Sequence, residues 1–410
     1  MTGRVKLILL LALLLASFSA YPATAAKPAY SKTLEQIYKS KDVYKDTQTR
    51  LSEFNQKYGG ITYLFTAGKS VNKRDLWVLK VGGGSKKIFI NASHHPREYM
   101  GTIVALNQIQ ALLEAYSANQ SIDGCNIREL LDQEVSFYFM PLVNPDGVQI
   151  CVNGTPSYYF NANKVDLNHN YDADWKKKIT KTYSTGSKPF SEPETQAVKA
   201  LCENMEFEVT LAYHAAGDII YWYYGQTGAD KTRDLAYANM LKDTTGYKLV
   251  SEKNYKSSTS GFKDWCVQKL KIPSFTLEIG GKVGISKPLA WTAYSSAWSK
   301  NKLVPVRISK QLLKQTKFAG DKKTALILNG AFITLNKNII TQEDGIYISS
   351  ADAKSLGSGK LPVSTQSVLL ESGIALNKVS YVNLDSLCSA LNLSYTYDKA
   401  VNTYYINKLS

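Results

Sequence analysis

His95 and Glu98 stand three residues apart in His95-Pro-Arg-Glu98, directly after the apolar run Lys87-Ile-Phe-Ile-Asn-Ala92. An imidazole and a carboxylate so close together offer two ligands to a divalent cation, and Zn2+ suits a mixed nitrogen and oxygen set. The third ligand has to come from elsewhere. The chain has only four histidines, at 94, 95, 169 and 214. His214 is the best placed, because it ends a second apolar run, Phe207-Glu-Val-Thr-Leu-Ala-Tyr213, and is followed by Ala-Ala-Gly. Two imidazoles and one carboxylate leave a fourth position for water, which is the catalytic rather than the structural arrangement. Taken alone, the short spacing equally suits a loop histidine beside a solvated glutamate.

Hydrolysis of an amide needs a base as well as a metal, since the attacking water must lose a proton and the leaving nitrogen must gain one. Glu278 closes the apolar run Ile272-Pro-Ser-Phe-Thr-Leu277. A carboxylate ending a buried strand is costly unless it is paired or functional. The elements that must position these groups are apolar strands followed by loops whose side chains converge on a cleft. Lys87–Ala92 has strand character, and Tyr99-Met-Gly-Thr-Ile-Val-Ala-Leu-Asn-Gln-Ile-Gln-Ala-Leu-Leu113 has helical apolar spacing. The His95 and Glu98 pair therefore belongs to a strand-to-helix junction.

Across residues 30 to 315 the order of these pieces resembles the zinc carboxypeptidase family. Gly68-Lys-Ser-Val-Asn-Lys-Arg-Asp75, His95-Pro-Arg-Glu98, Asn144-Pro-Asp-Gly147, Val165-Asp-Leu-Asn168, Ser191-Glu-Pro-Glu-Thr195, His214 and Phe275-Thr-Leu-Glu-Ile279 follow one another as that family's motifs do. The resemblance implies an α/β fold with a mixed central sheet flanked by helices, and one Zn2+ held by His95, Glu98 and His214. It implies Glu278 as general acid and base, Tyr255 as a hydroxyl donor on a loop, and Asn168 in substrate binding. It also implies a basic residue polarising the substrate carbonyl, for which Arg97 and Lys164 are the candidates.

Departures from the family pattern bear on the substrate. Members that remove C-terminal residues carry an arginine after Asn168, and it clamps the free carboxylate with two hydrogen bonds. Here that residue is His169, which is mostly uncharged near neutral pH and cannot make the two-pronged contact. Val165-Asp-Leu-Asn-His-Asn-Tyr-Asp-Ala-Asp-Trp175, Tyr213-His-Ala-Ala-Gly-Asp-Ile-Ile-Tyr-Trp222 and Ser260-Gly-Phe-Lys-Asp-Trp265 instead resemble the bacterial branch that cuts the γ-D-glutamyl-meso-diaminopimelate bond of peptidoglycan stem peptides. In the last of these, Lys263 aligns with the floor of the family's specificity pocket, where an ammonium would attract an acidic substrate. A carboxypeptidase acting on ordinary proteins or peptides is the alternative enzyme. A non-catalytic wall-binding protein would be signalled by loss of a ligand or of the base, and none is missing.

Arg4 and Lys6, the run Leu7–Ala16 and Ala23-Thr-Ala-Ala26 read as a secretory signal peptide over residues 1–26, too short in its apolar core to span a membrane. A secreted or wall-associated chain with no transmembrane anchor in its mature form is therefore expected. Five cysteines, at 125, 151, 202, 266 and 388, leave at least one thiol unpaired and no C-x-x-C metal spacing. The 49 basic and 34 acidic residues give +15, a balance that suits polyanionic surroundings such as anionic cell-wall polymers. The basic residues are scattered and no nucleic-acid motif is present, so nucleic acid is not an expected partner. The peptidase domain is expected over 27–318. After the polar stretch 318–324, short β-like runs over 325–410 resemble the copper-amine-oxidase-type N-terminal domain, an α+β accessory unit. No histidine follows His214, so that unit has no imidazole copper site.

Overall fold

Four apolar runs form the centre of the molecule because each can be buried on both faces, the condition for parallel strands. In the computed structural model these are β3 (Lys86–Ala92), β6 (Val135–Met140), β7 (Val209–Ala215) and β10 (Ser274–Ile279). The description covers residues 30–250, 252, 261–281, 283–314, 325–335, 339–342, 345–356, 373–376, 379–398 and 402–408. The proposed signal segment 1–26 and Tyr255 lie outside it. β6, β3, β7 and β10 run parallel in that order, so their carboxyl ends share one edge. That edge is where open α/β sheets place their ligands.

The sheet continues beyond this parallel core in both directions. β1 (Thr62–Lys69) and β2 (Asp75–Val81) extend it antiparallel beside β6, while β8 (Ile219–Tyr221) and β9 (Lys248–Leu249) extend it beyond β10. β4 (Ser121–Ile122) and β5 (Cys125–Asn126) make a separate small hairpin. The helices 43–57, 100–117, 145–152, 193–205, 228–245 and 304–313 each bury apolar residues. The mixed sheet with helices is the α/β architecture expected from the sequence. No described helix is long and apolar enough to cross a membrane. All five cysteines are free thiols.

The helix Met100–Ser117 starts only two residues after Glu98 and lies against β3 and β7. Gly101 permits this closeness, because an added Cβ would stand 2.9 Å from the Cβ of Tyr213 and 3.3 Å from that of Ala92. Gly101→Ala must push the helix away from the strand that carries His214. A loss of about 1–3 kcal/mol is expected from such overpacking. Urea denaturation of the two proteins measures it, and an unchanged midpoint would show that the helix gives way freely.

Several sequence motifs prove to be scaffold. Asp146 accepts hydrogen bonds from Ser70 Oγ at 2.9 Å and the Asn72 amide at 2.7 Å, and pairs with Arg74 at 2.6 Å. This ties the Gly68–Asp75 loop to the Asn144–Gly147 turn. Asn144 accepts from the Gly147 amide at 3.0 Å while its Nδ2 donates to the His94 carbonyl at 2.9 Å. The turn thereby holds the chain segment that leads into His95. Asn170 likewise joins the Val165–Asn168 and Ser191–Thr195 motifs, accepting from the Glu192 amide and from Thr195 Oγ1 at 2.7 Å.

The C-terminal residues contain the expected strands and short helices, at Ser350–Leu356 and Leu384–Ala390. β11 (Ala325–Leu328), β12 (Ala331–Ile333), β17 (Leu393–Asp398) and β18 (Thr403–Lys408) join the large sheet, with β12 parallel to β1 at Thr66 and Ala331. A second sheet holds β13 (Ile340–Gln342), β14 (Gly345–Ser349), β15 (Gly373–Leu376) and β16 (Val379–Asn383). Alternation along β11 explains the sharing of two cores. Ala325 and Ile327 pack with Phe65 and Tyr138, whereas Leu326 packs with Ile348, Val382 and Leu387. The Lys80–Asp398 ion pair adds a polar tie to the same junction.

Candidate metal centre and its cleft

His95, Glu98 and His214 meet at the carboxyl edge of the sheet, with one ligand atom from each lying within 4.8 Å of the others. All three side chains are buried. His95 follows β3, Glu98 lies in the single turn Pro96–Glu98, and His214 is the penultimate residue of β7. Glu98 bridges the imidazoles, with Oε1 at 2.9 Å from His95 Nδ1 and Oε2 at 2.9 Å from His214 Nδ1. The Ala215 amide donates to Oε2 at 3.2 Å.

The donor set fits a cation. The two Nδ1 atoms approach to 3.2 Å, so two like groups face one another across a carboxylate. Burial opposes protonation of His95, but Glu98 and Asp166 outweigh it and push its pKa up to about 10. Burial would raise Glu98, yet the two imidazoles hold it well below the usual carboxylate range. Burial lowers His214, with Glu98 opposing. The carboxylates around the site thus favour positive charge where a metal ion would bring its own.

Asp166 was not singled out by sequence reasoning, although it lies inside the quoted Val165–Asn168 segment. Its Oδ1 sits 3.2 Å from His95 Nε2. Burial would raise its carboxyl, but His169 and His95 draw it below the ordinary value. A proton held on Nε2 by this carboxylate leaves Nδ1 free to face the metal. Asp166→Asn is therefore expected to lower zinc affinity about 10- to 100-fold, the usual cost of losing such an outer partner. Competition with a chromogenic chelator measures it, and unchanged affinity would remove Asp166 from the metal centre. His94, by contrast, is a core residue. It is fully buried, its Nε2 lies 2.8 Å from the Tyr171 hydroxyl, and burial drives its pKa well down.

Glu278 pairs in register with His214 on the neighbouring parallel strand, so the two side chains leave the same face of the sheet. It lines a cleft of about 160 Å³ together with His95, Tyr159, Asn168, His169 and Lys263. The wall is completed by Tyr221, Trp222 and Tyr223, supplied by β8 and the residues after it. The sequence alone does not mark them as cleft residues, though the Tyr213–Trp222 segment contains two of them.

The remaining expected residues fall in different places. Asn168 reaches the cleft, but its Oδ1 also accepts from the Phe262 amide at 3.2 Å, fixing the segment that bears Lys263. His169 lines the cleft with Nε2 at 3.9 Å from Asp166 Oδ2. Lys263 lines the cleft, yet it is not a lone cation. Its ammonium pairs with Asp264 and donates to the Tyr223 carbonyl at 3.1 Å. Arg97 lies over the Tyr159 ring at 4.4 Å from its centroid, and that ring stacks on His95 at 3.9 Å. It therefore meets the site through Tyr159. Lys164 is exposed on a turn with φ of 61° and takes no part in the cleft, which corrects its candidacy as the carbonyl-polarising group.

Residues 47–288 match the family described as Peptidase_M14, Zinc carboxypeptidase. The gamma-D-glutamyl-L-diamino acid endopeptidase 1 of Lysinibacillus sphaericus is 28% identical over 240 residues, 52% of this chain and 59% of that protein. Carboxypeptidase O of Bos taurus is 26% identical over 260 residues, 56% of this chain and 67% of the relative. The chain thus spans about three fifths of the length of the endopeptidase it matches. Thrombin activatable fibrinolysis inhibitor shares the fold with a TM-score of 0.56 at 21% identity, covering 67% of this chain and 74% of that one. The family match stops at residue 288 and does not bear on residues 325–410. With more than half of the chain matched and a buried His-Glu-His cluster able to hold the metal, this protein belongs to the zinc carboxypeptidase family.

Proposed function

We propose that this chain hydrolyses the γ-D-glutamyl-meso-diaminopimelate bond of peptidoglycan stem peptides, with His95, Glu98 and His214 as the zinc ligands. The composition of the cleft carries the reading. Among the described residues that line it there is no arginine to clamp a C-terminal carboxylate, and His169 and the Lys263–Asp264 pair line it instead. The relative from Lysinibacillus sphaericus, named for a γ-D-glutamyl-diamino acid bond, supports the same substrate class.

When bound, the ion supplies Lewis acidity toward water and the amide carbonyl. Glu278 then takes the proton of the attacking water and returns it to the leaving nitrogen. Asp166 keeps His95 oriented, and the rings of Tyr159, Tyr221, Trp222 and Tyr223 limit bulk water around the scissile bond. Arg97 acts through Tyr159, and Tyr255 is proposed as a hydroxyl donor. The basic and apolar residues of 1–26 support export, and without Arg4 and Lys6 the remaining 47 basic and 34 acidic residues, a balance of +13, favour retention near anionic wall polymers.

Incubating the purified protein with a defined muropeptide and reading products by mass spectrometry tests this directly. Release of the diaminopimelate-containing fragment is expected. Release of C-terminal amino acids from ordinary peptides, with the muropeptide intact, would replace this reading with that of a carboxypeptidase.

A further inference from the structure

We infer that the cleft floor recognises a zwitterion: Lys263 and Asp264 together bind the end of a substrate side chain that carries an ammonium and a carboxylate on one carbon. The inference rests on the function proposed above and deepens it, since meso-diaminopimelate ends in such a group.

Both side chains are almost wholly buried, at 6% and 7% exposed, yet both line the cleft. A lysine ammonium has three donors. Two are engaged here, by Asp264 Oδ1 and by the Tyr223 carbonyl. Asp264 Oδ2 accepts from the Gly261 amide at 2.7 Å, which leaves further acceptor capacity on a carboxylate with about four lone-pair sites. The pair thus offers one spare donor of positive charge beside spare acceptors of negative charge, on side chains that line the cleft.

Charge complementarity then selects the ligand. A side chain ending in carboxylate alone would gain from Lys263 and be repelled by Asp264. One ending in ammonium alone would meet the reverse. Only a group with both charges on adjacent atoms pairs with each partner and leaves neither charge buried without compensation, the costly outcome in a cleft of this kind. Tyr221, Trp222 and Tyr223 supply apolar surface for the methylenes that lead to that group.

Four synthetic substrates sharing a γ-D-glutamyl bond test the inference through kcat/KM. Their leaving residues are meso-diaminopimelate, the same residue amidated at its distal carboxyl, L-lysine with ammonium only, and 2-aminopimelate with carboxylate only. The zwitterionic substrate is expected to exceed each of the others by about tenfold or more, the lower end for one charge-assisted hydrogen bond. In Lys263→Met the ratio between free and amidated diaminopimelate is expected to collapse to about one. Equal rates for all four in the unmodified enzyme would overturn the inference while leaving the bond specificity intact. So would faster cleavage of the carboxylate-only substrate. No cleavage of any γ-D-glutamyl substrate, with ordinary peptides hydrolysed, would instead overturn the proposed function and this inference with it. The unmodified enzyme decides these outcomes even if Lys263→Met does not fold.

Discussion

Glu278→Gln is expected to retain zinc and fold while losing turnover by at least about 10² to 10⁴, the range for removing a positioned acid-base group. The substitution keeps the size of the side chain and removes only its proton chemistry. Burial and the neighbouring Glu98 charge push the Glu278 carboxyl up to about 8, with His95 opposing. A general base must be deprotonated to accept the water proton, so its titration shapes the acid limb of the profile. The acid limb of the kcat/KM profile should therefore vanish in the glutamine variant. Retention of a tenth of the activity would assign the base to another residue.

The same carboxyl has a consequence for stability. Its folded pKa lies above the ordinary value of 4.5, so the folded metal-free chain binds this proton more tightly than the unfolded chain does. Its stabilising contribution is complete below about pH 4.5 and is lost as pH rises through about 8. In the metal-free protein, Glu278→Gln should accordingly raise the melting temperature near pH 9 relative to the parent, and by much less near pH 4. A gain in stability paired with a loss of activity would mark a group held at a site against its own solvation.

His214→Ala is expected to abolish stoichiometric zinc binding and hydrolysis together. It removes one of two imidazoles and leaves Glu98 with half of its bridge, since Oε2 retains only the Ala215 amide. Metal analysis after dialysis is the direct readout. Zinc binding to the folded state also adds stability by mass action, so the rise in melting temperature on adding zinc should disappear in the variant. A folded His214→Ala protein that still holds one zinc per chain would sink the ligand assignment. His94→Ala provides a contrast, because His94 bonds Tyr171 within the core. It should lower stability while sparing the stoichiometry of zinc.

The residues that meet at the metal were legible because their chemistry is local and their supports are periodic. His95 and Glu98 lie within one turn, and His214 and Glu278 each close an apolar run long enough to be a buried strand. Once those runs are parallel neighbours, their ends must share an edge, and the ligands converge without any further information. The helix from Met100 to Ser117 was equally readable from its apolar spacing.

What could not be read is what each side chain does with its neighbours. Lys263 announces a positive charge in sequence, but its adjacent Asp264 turns back on it and the Tyr223 carbonyl takes a second donor, so this part of the cleft carries both signs. Asp166 reads as one acid among 34 acidic residues until the fold lays it on His95 Nε2. The run at 325–328 reads as the start of an accessory unit, yet its alternating faces serve two cores at once beside β1. Residue types and their spacing determined the metal, the base and the strands that carry them, because covalent neighbours and periodicity are written along the chain. The tertiary structure alone decided the pairing of charges in the cleft and the joining of the sheets, because those depend on contacts between residues far apart in sequence.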